Sequence, residues 1–364
     1  MAGGSRAGRR SPVGTWWLAS RRATAFASAF LALAGLATAP AAFDPDTLDA
    51  AVRELPKLHS LLVSHRGTVV FERYYHGAGA DRLANIKSAS KSVVSALVGI
   101  AIEQGLIPGA ATPIARWFPA LAQDRDPRKR TITVEDLLTM RPGIESTSGR
   151  QYGAWVTSRN WVDYVLARPM AAAPGASMDY STGNTHLLSA ILTKAGAKST
   201  LRFANDTLAR PLGFTLPPWP TDPQGIYFGG NDMLMTPRQL LAFGELYLNR
   251  GRANGRQVVP EAWVRKSCEG RPRDLPSWAR DLGPGGVPDP LRDRAYGYAW
   301  WVHHFGGHDT CFAWGYGGQY LFIVPDLELV IATTASPNVS EERRDHRRQI
   351  VDILTRLVVE PLAR

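Results

Sequence analysis

Apolar residues first cluster at Leu61-Leu62-Val63 and again at Thr68-Val69-Val70-Phe71, on either side of His65-Arg66-Gly67, which predicts a β-hairpin. The next apolar run differs in kind. Val93, Val94, Ala96, Leu97, Val98, Ile100, Ala101 and Ile102 leave no polar face, so this helix is expected to be buried on every side, with Gly105 placed to end it. Pro108-Gly109, Pro113 and Pro119 then punctuate a loop-rich stretch, and Thr133-Val134-Glu135-Asp136 reads as a capping box before Leu137-Leu138. Residues 145–161 show no period. Helices are expected at Asn160–Leu166, at Thr185–Ala195 closed by Gly196, and at Leu240–Leu248, and the Pro-, Gly- and Arg-rich stretch Gly270–Arg294 reads as a surface excursion. The end of the chain returns to strands at Tyr298–Val302, Tyr320–Val324 and Leu327–Thr333, with Pro325-Asp326 turning between the last two, before an amphipathic helix over Glu341–Leu362. Strands at both ends with helices between predict an α/β (α+β) chain. Its discontinuous α/β lobe would span about 43–105 and 295–364, its inserted, mainly helical lobe about 106–294, and a site between the lobes would draw on both.

The first 42 residues are set apart from this domain of residues 43–364. Arg21-Arg22 precede an apolar stretch, Ala23–Leu36, and the small residues Ala37-Thr38-Ala39, the pattern of an export signal. The expected location is therefore periplasmic or secreted, with an uncleaved anchor through residues 23–36 as the alternative. This segment also changes the charge picture. Five of the 42 Lys and Arg residues lie in it with no acid, so the net charge of +10 halves over the rest of the chain and gives no reason to expect nucleic acid. The two cysteines, Cys268 and Cys311, could form a disulfide in an oxidising compartment or stay as buried thiols. No Cys/His spacing suggests zinc, and no metal or cofactor is expected.

Candidate chemistry sits at the head of the all-apolar helix. Ser88 and Lys91 form a Ser-x-x-Lys pair one turn apart, which places them on one helix face. A serine hydroxyl attacks well only when a base takes its proton, and an amine is that base only when neutral, a form that burial favours. The N–H groups at a helix N-terminus suit a developing oxyanion. Tyr180 lies on a loop before a helix of the inserted lobe, and a phenol beside a cationic lysine is favoured as phenolate, so Lys91 and Tyr180 are expected to share the general-base role. Gly317 and Gly318, in Gly315-Tyr316-Gly317-Gly318-Gln319 at the entry to a strand, would let a ligand approach the backbone. Tyr152 and Trp155, in the aromatic, non-periodic stretch, are expected on the rim or lid of the site.

With these residues in order, the chain resembles the penicillin-recognising serine hydrolases: the class C β-lactamases and DD-peptidases with their esterase and amidase relatives. In that family Ser-x-x-Lys heads the central helix, a Tyr-x-Asn motif follows about a hundred residues later, and Lys-Thr-Gly or a variant lies on a strand near the end. The branch of 6-aminohexanoate-dimer (nylon oligomer) hydrolases is resembled most, through Ser88-Ala89-Ser90-Lys91-Ser92, Leu137-Leu138-Thr139-Met140, Tyr180-Ser181-Thr182-Gly183-Asn184-Thr185, Gly229-Gly230-Asn231-Asp232 and Gly315-Tyr316-Gly317-Gly318-Gln319. The resemblance implies a β-lactamase/transpeptidase-like fold, an antiparallel sheet flanked by helices. It also implies an oxyanion donor at the Gln319 N–H. Two departures stand out. Thr182 occupies the asparagine position of Tyr-x-Asn, leaving Asn184 or Asn231 to supply the amide, and Tyr316 occupies the position of the lysine that resembles a carboxylate anchor.

The expected function is a serine hydrolase that acts through an acyl-enzyme on a small ester or amide, with weak or no β-lactam turnover and no obligate protein partner. The alternatives are a catalytically silent penicillin-binding-like module that recognises cell-wall peptide, and a DD-peptidase or β-lactamase proper.

Overall fold

The strands expected at the two ends of the chain belong to one sheet. The computed structural model describes residues 43–271, 294–338 and 343–364; the expected leader and most of the Gly270–Arg294 stretch lie outside the described residues. Strands β1 (Leu58–His65) and β2 (Thr68–Tyr74) form the predicted hairpin. The late strands are β3 (Ala295–Tyr296), β4 (Trp301–Phe305), β5 (His308–Gly315), β6 (Gln319–Val324) and β7 (Leu329–Ala335). The seven strands run β2-β1-β7-β6-β5-β4-β3, every pair antiparallel, so β1 from the start of the chain pairs with β7 near its end.

Both faces of the sheet are covered, and the period-2 alternation of side chains sorts the residues between them. Tyr320, Phe322, Leu329 and Ile331 pack with Leu48 and Val52 of helix α1 (Pro45–Arg53) and with Ile350 and Leu354 of α10 (Arg343–Leu354). Their neighbours Leu321, Ile323, Val330 and Ala332 share the other core with helix α2 (Ser90–Glu103) and α8 (Pro237–Leu248). Gly244 brings α8 so close that a Cβ there would lie 2.5 Å from Val330 Cγ1. Helix α8 falls within the range expected for the helical lobe, yet it packs on the sheet.

Helix α2 is buried from Ser90 to Ala101, as its all-round apolar sequence requires. Gly105, at φ +71°, ends it. Its N–H donates to Ile102 O (2.9 Å) and that of Leu106 to Ala101 O (2.9 Å), the paired bonds of a Schellman motif. Thr133 and Asp136 form the expected capping box of α3 (Val134–Leu138). The non-periodic stretch contains the short α4 (Tyr152–Val156) and leads to α5 (Trp161–Ala167). Helix α6 (Thr182–Gly196) starts three residues earlier than expected, because its first N–H groups are capped from outside. Ser148 Oγ accepts from Thr182 N at 2.9 Å and Thr147 Oγ1 from Gly183 N at 3.1 Å. Helices α7 (Thr200–Ala204) and α9 (Glu261–Ser267) complete the described set used below, and Cys268, just after α9, forms a disulfide with Cys311 of β5.

Two strand expectations need correction. The strand placed at Tyr298–Val302 begins at Trp301, since Ala299 adopts φ +60° and breaks the extended backbone. Strand β5 was not anticipated; His308-Asp309-Thr310-Cys311 lacks the alternation that would have marked it.

Candidate active site

Ser88 lies in a single 3-10 turn, Lys87–Ala89, that runs into α2. The residue before it, Lys87, is left-handed at φ +50°, a conformation that costs a side-chain-bearing residue energy and persists only when its surroundings hold it. Here Lys87 Nζ pairs with Asp232 Oδ1 at 3.0 Å, the same oxygen accepts from Asn85 Nδ2 at 2.7 Å, and Asn85 Oδ1 accepts from Lys87 N at 3.0 Å. Asp232 is itself left-handed, at φ +57°. This clamp joins the serine turn to the Gly229–Asp232 segment; no motif in the sequence marks Lys87 for it.

One turn into the helix, Lys91 is 1 % exposed. Its Nζ lies 3.0 Å from Ser88 Oγ, 2.6 Å from Gly230 O and 3.3 Å from Thr182 Oγ1. Burial pushes its pKa down from the usual lysine value to about 7. A neutral amine has two hydrogens and one lone pair. Gly230 O and Thr182 Oγ1 are acceptors for the two hydrogens, which turns the lone pair toward the Ser88 hydroxyl. Thr182, the apparent departure from Tyr-x-Asn, therefore has a place beside the lysine. Gly230 is required by contact: a Cβ there would lie 2.2 Å from Thr185 Oγ1 and 3.1 Å from Lys91 Nζ.

Tyr180 completes the cluster. Its ring lies 5.1 Å from Lys91 Nζ and stacks on Trp301 at 5.6 Å, and its carbonyl accepts from Ser146 Oγ at 2.8 Å. The expectation of a phenolate is corrected. Burial is the largest influence and pushes the phenol up to about 12, against smaller downward effects of the nearby Ser88 hydroxyl and the Arg294 charge. A lysine poised near 7 carries too little fixed charge to hold a phenolate, so Tyr180 is a proton donor at rest and Lys91 the base. The Arg294 guanidinium lies 4.8 Å over Trp301 and 5.0 Å over Trp314, although Arg294 ends the stretch expected to be a surface excursion.

The structure separates the remaining candidates. Asn231 follows Gly230, and its Nδ2 donates to the Tyr152 hydroxyl at 2.6 Å, which brings Asn231 and half-buried Tyr152 to the site's edge. Asn184 is not there. Two residues beyond Thr182 it points to the far side of α6, 1 % exposed, with Nδ2 at 3.5 Å from Met140 Sδ. Trp155 is neither rim nor lid. It is fully buried, packed on Tyr152, Trp161, His186 and Phe228, with Nε1 donating to Trp161 O at 3.1 Å. Trp155→Ala should therefore destabilise the fold by about 3–5 kcal/mol, readable as a lowered denaturation midpoint. An unchanged midpoint with an altered KM would restore the lid.

The Gln319 N–H is not placed to hold an oxyanion. Tyr320 N donates to Thr333 Oγ1 on the β7 side at 3.1 Å, so the preceding N–H, that of Gln319, points to β5, where Gly315 is its ladder partner. The Gln319 side chain bonds Ala335 on both backbone atoms, at 2.6 and 3.1 Å. Gly317 (φ +91°) and Gly318 (φ +107°) make the turn, and Cβ atoms on them would strike Ser336 O and the His346 ring; the approach they permit is to protein, not to a ligand. The β5 end of this hairpin packs against the residues just before Ser88, where a Cβ on Gly315 would lie 2.2 Å from Ile86 O.

Comparison with known proteins shows the family. The sequence model of the Beta-lactamase family matches residues 48–355. The 6-aminohexanoate-dimer hydrolase of Paenarthrobacter ureafaciens is 25 % identical over 331 residues, covering 83 % of this chain and 81 % of its own. Among solved structures, the D-alanine carboxypeptidase AmpC from Burkholderia cenocepacia superposes with a TM-score of 0.60 at 17 % identity, covering 84 % of this chain and 97 % of the other. The octameric penicillin-binding protein homologue from Pyrococcus abyssi gives 0.61 at 17 %, covering 85 % and 77 %.

Proposed function

Because this chain belongs to the beta-lactamase family, within the serine hydrolase superfamily, we propose that it hydrolyses small esters or linear amides through an acyl-enzyme on Ser88. The observation that carries the reading is the buried lysine, 3.0 Å from Ser88 Oγ and shifted to about 7, with two other acceptors arranged for its hydrogens. In this reading Lys91 takes the Ser88 proton as Oγ attacks the substrate carbonyl. The developing oxyanion lies between the Ser88 N–H, in a first turn that has no intrahelical acceptor, and the N–H of the Gly315–Tyr316 peptide. Tyr180, protonated at rest, gives its proton to the leaving oxygen or nitrogen and regains one from Lys91. Water then repeats the sequence on the acyl-enzyme.

The substrate class is argued from what the late hairpin lacks. Ala313 to Gln319 carry no cation, so this strand has no charged anchor for a β-lactam carboxylate. Loss of a charge-assisted hydrogen bond costs roughly 1.5–3 kcal/mol, or about tenfold or more in binding. Short esters need little beyond the Ser88–Lys91–Tyr180 machinery, and the amide substrate named for the Paenarthrobacter relative supports activity on linear amides. kcat/KM on p-nitrophenyl acetate or butyrate is expected to exceed that on nitrocefin by at least about tenfold. Efficient nitrocefin hydrolysis with poor ester turnover would overturn this specificity and point to Arg294 as the anion anchor. The Cys268–Cys311 disulfide supports an exported, periplasmic or secreted location.

A further inference from the structure

Behind Lys91 lies a buried dyad that the chemistry above does not use. His186 is on α6 four residues after Thr182, hence on the same helix face, and is fully buried. Its Nε2 lies 3.0 Å from Asp222 Oδ2, and its Nδ1 accepts the Gly229 N–H at 3.4 Å. Because Nδ1 is an acceptor, the ring hydrogen is on Nε2 and faces Asp222. Trp161 and Phe228, with ring centres 5.3 and 6.0 Å away, and Trp155 at 5.9 Å, enclose the imidazole. Asp222, 3 % exposed, accepts with its other oxygen from Gln224 N (2.8 Å) and Ile226 N (2.9 Å).

The protonation states fit this arrangement. Burial, the largest effect, lowers the imidazole pKa despite Asp222 and keeps the ring neutral. Burial works against the Asp222 carboxylate as well, but hydrogen bonds from His186, Ile226 and Gln224 outweigh it and hold its pKa below the ordinary value.

The peptide held by His186, Phe228–Gly229, is separated by the single Gly229–Gly230 peptide from the Gly230 carbonyl that receives Lys91. Gly229 is pressed on α6, where a Cβ would lie 2.1 Å from Thr185 O and 2.7 Å from His186 Cα. The next residue, Gly230, places its carbonyl 2.6 Å from Lys91 Nζ. We propose that His186, oriented by Asp222, is a positioning residue that fixes the Gly229–Gly230 backbone so that the Gly230 carbonyl holds Lys91 with its lone pair toward Ser88. The inference rests on the reading of Lys91 as the base. It adds a layer to the site: an Asp–His pair that orients the base through a carbonyl, without touching substrate.

Two replacements separate the two bonds of the ring. His186→Asn keeps an oxygen near the Nδ1 position and can still accept from Gly229, but loses Asp222. His186→Gln keeps a donor near Nε2 for Asp222, but loses Gly229. Each forfeits one buried hydrogen bond, so a purely structural role would lower Tm similarly and spare kcat in both. If the Gly229 bond sets the geometry of the base, kcat on p-nitrophenyl butyrate should fall about ten- to a hundredfold in His186→Gln, at least about fivefold further than in His186→Asn, with KM within about twofold of wild type. Equal kcat values in the two variants, or a loss confined to KM, would overturn the inference. Asp222→Asn provides a second route if the histidine variants do not fold. An amide nitrogen facing Nε2 drives the ring hydrogen to Nδ1, against the Gly229 N–H, so a kcat about tenfold lower at unchanged KM supports the inference, and a wild-type kcat overturns it. Lys91→Ala, measured alongside, tells the two claims apart. If Lys91→Ala remains active, the base assignment fails; if it is inactive while His186→Gln and Asp222→Asn turn over normally, only the positioning role fails.

Discussion

Ser88→Ala is expected to lower kcat by about a thousandfold or more while leaving the fold intact, as removal of a nucleophile from a preformed site does. Three serines crowd this helix head, and the structure distinguishes them. Ser90 is fully buried, and Ser92, 1 % exposed, donates to Ala299 O at 2.7 Å as part of the packing between α2 and the loop before β4. Ser88 alone of the three is part-exposed, and it has the lysine amine 3.0 Å from its oxygen. The variant exchanges one hydroxyl for hydrogen in a half-buried turn, so its denaturation midpoint should stay close to wild type. Steady-state kinetics on p-nitrophenyl butyrate, set beside thermal melts, check both parts. Activity within tenfold of wild type would move the nucleophile elsewhere.

The second large effect concerns Lys91 and Tyr180 as a unit. Lys91→Ala should cost on the order of a thousandfold in kcat, and Tyr180→Phe about 10²–10⁴-fold, the usual range for positioned acid–base groups. Because one proton passes between them, the double variant should lose far less than the product of the single losses. The pH profile gives an independent sign. The base works only when neutral, so kcat should fall about tenfold per pH unit below the lysine pKa of about 7 and level off above it. Tyr180, pushed up to about 12, stays protonated throughout and adds no alkaline loss below that value. Multiplicative losses in the double variant, or a rate that falls as pH rises from 6 to 8, would show that the proton takes another path.

Much of this site was legible where chemistry and local periodicity coincide. The all-round apolar sequence of Val93–Ile102 requires a buried helix, and Ser-x-x-Lys at its head puts Ser88 and Lys91 on one face. The terminal strands and the Thr133 capping box were legible for the same reason, since each is written in a few consecutive residues. What escaped depends on contacts between distant segments. The early start of α6 is set by Thr147 and Ser148, about 34 residues away, and no pattern near Thr182 announces it. The Gly230 carbonyl is a backbone atom, visible in sequence only as a glycine whose neighbours are unknown. The oxyanion donor expected at Gln319 turned on one hairpin: Gly315-Tyr316-Gly317-Gly318-Gln319 marks the turn, but the direction of the Gln319 N–H follows from how β5 and β6 pair. Trp155 misled through composition, because an aromatic stretch without period reads the same whether it covers a site or fills a core. The phenolate expectation treated Lys91 as a fixed cation, while its burial removes that charge.

Whether Ser88 carries the acyl group is read by mass spectrometry of the enzyme trapped with a slowly hydrolysed ester. A single acyl addition is expected on the peptide containing Ser88, localised by fragmentation to that residue and absent from Ser88→Ala. An adduct localised to Ser90 or Ser92, or one that persists in Ser88→Ala, would contradict it.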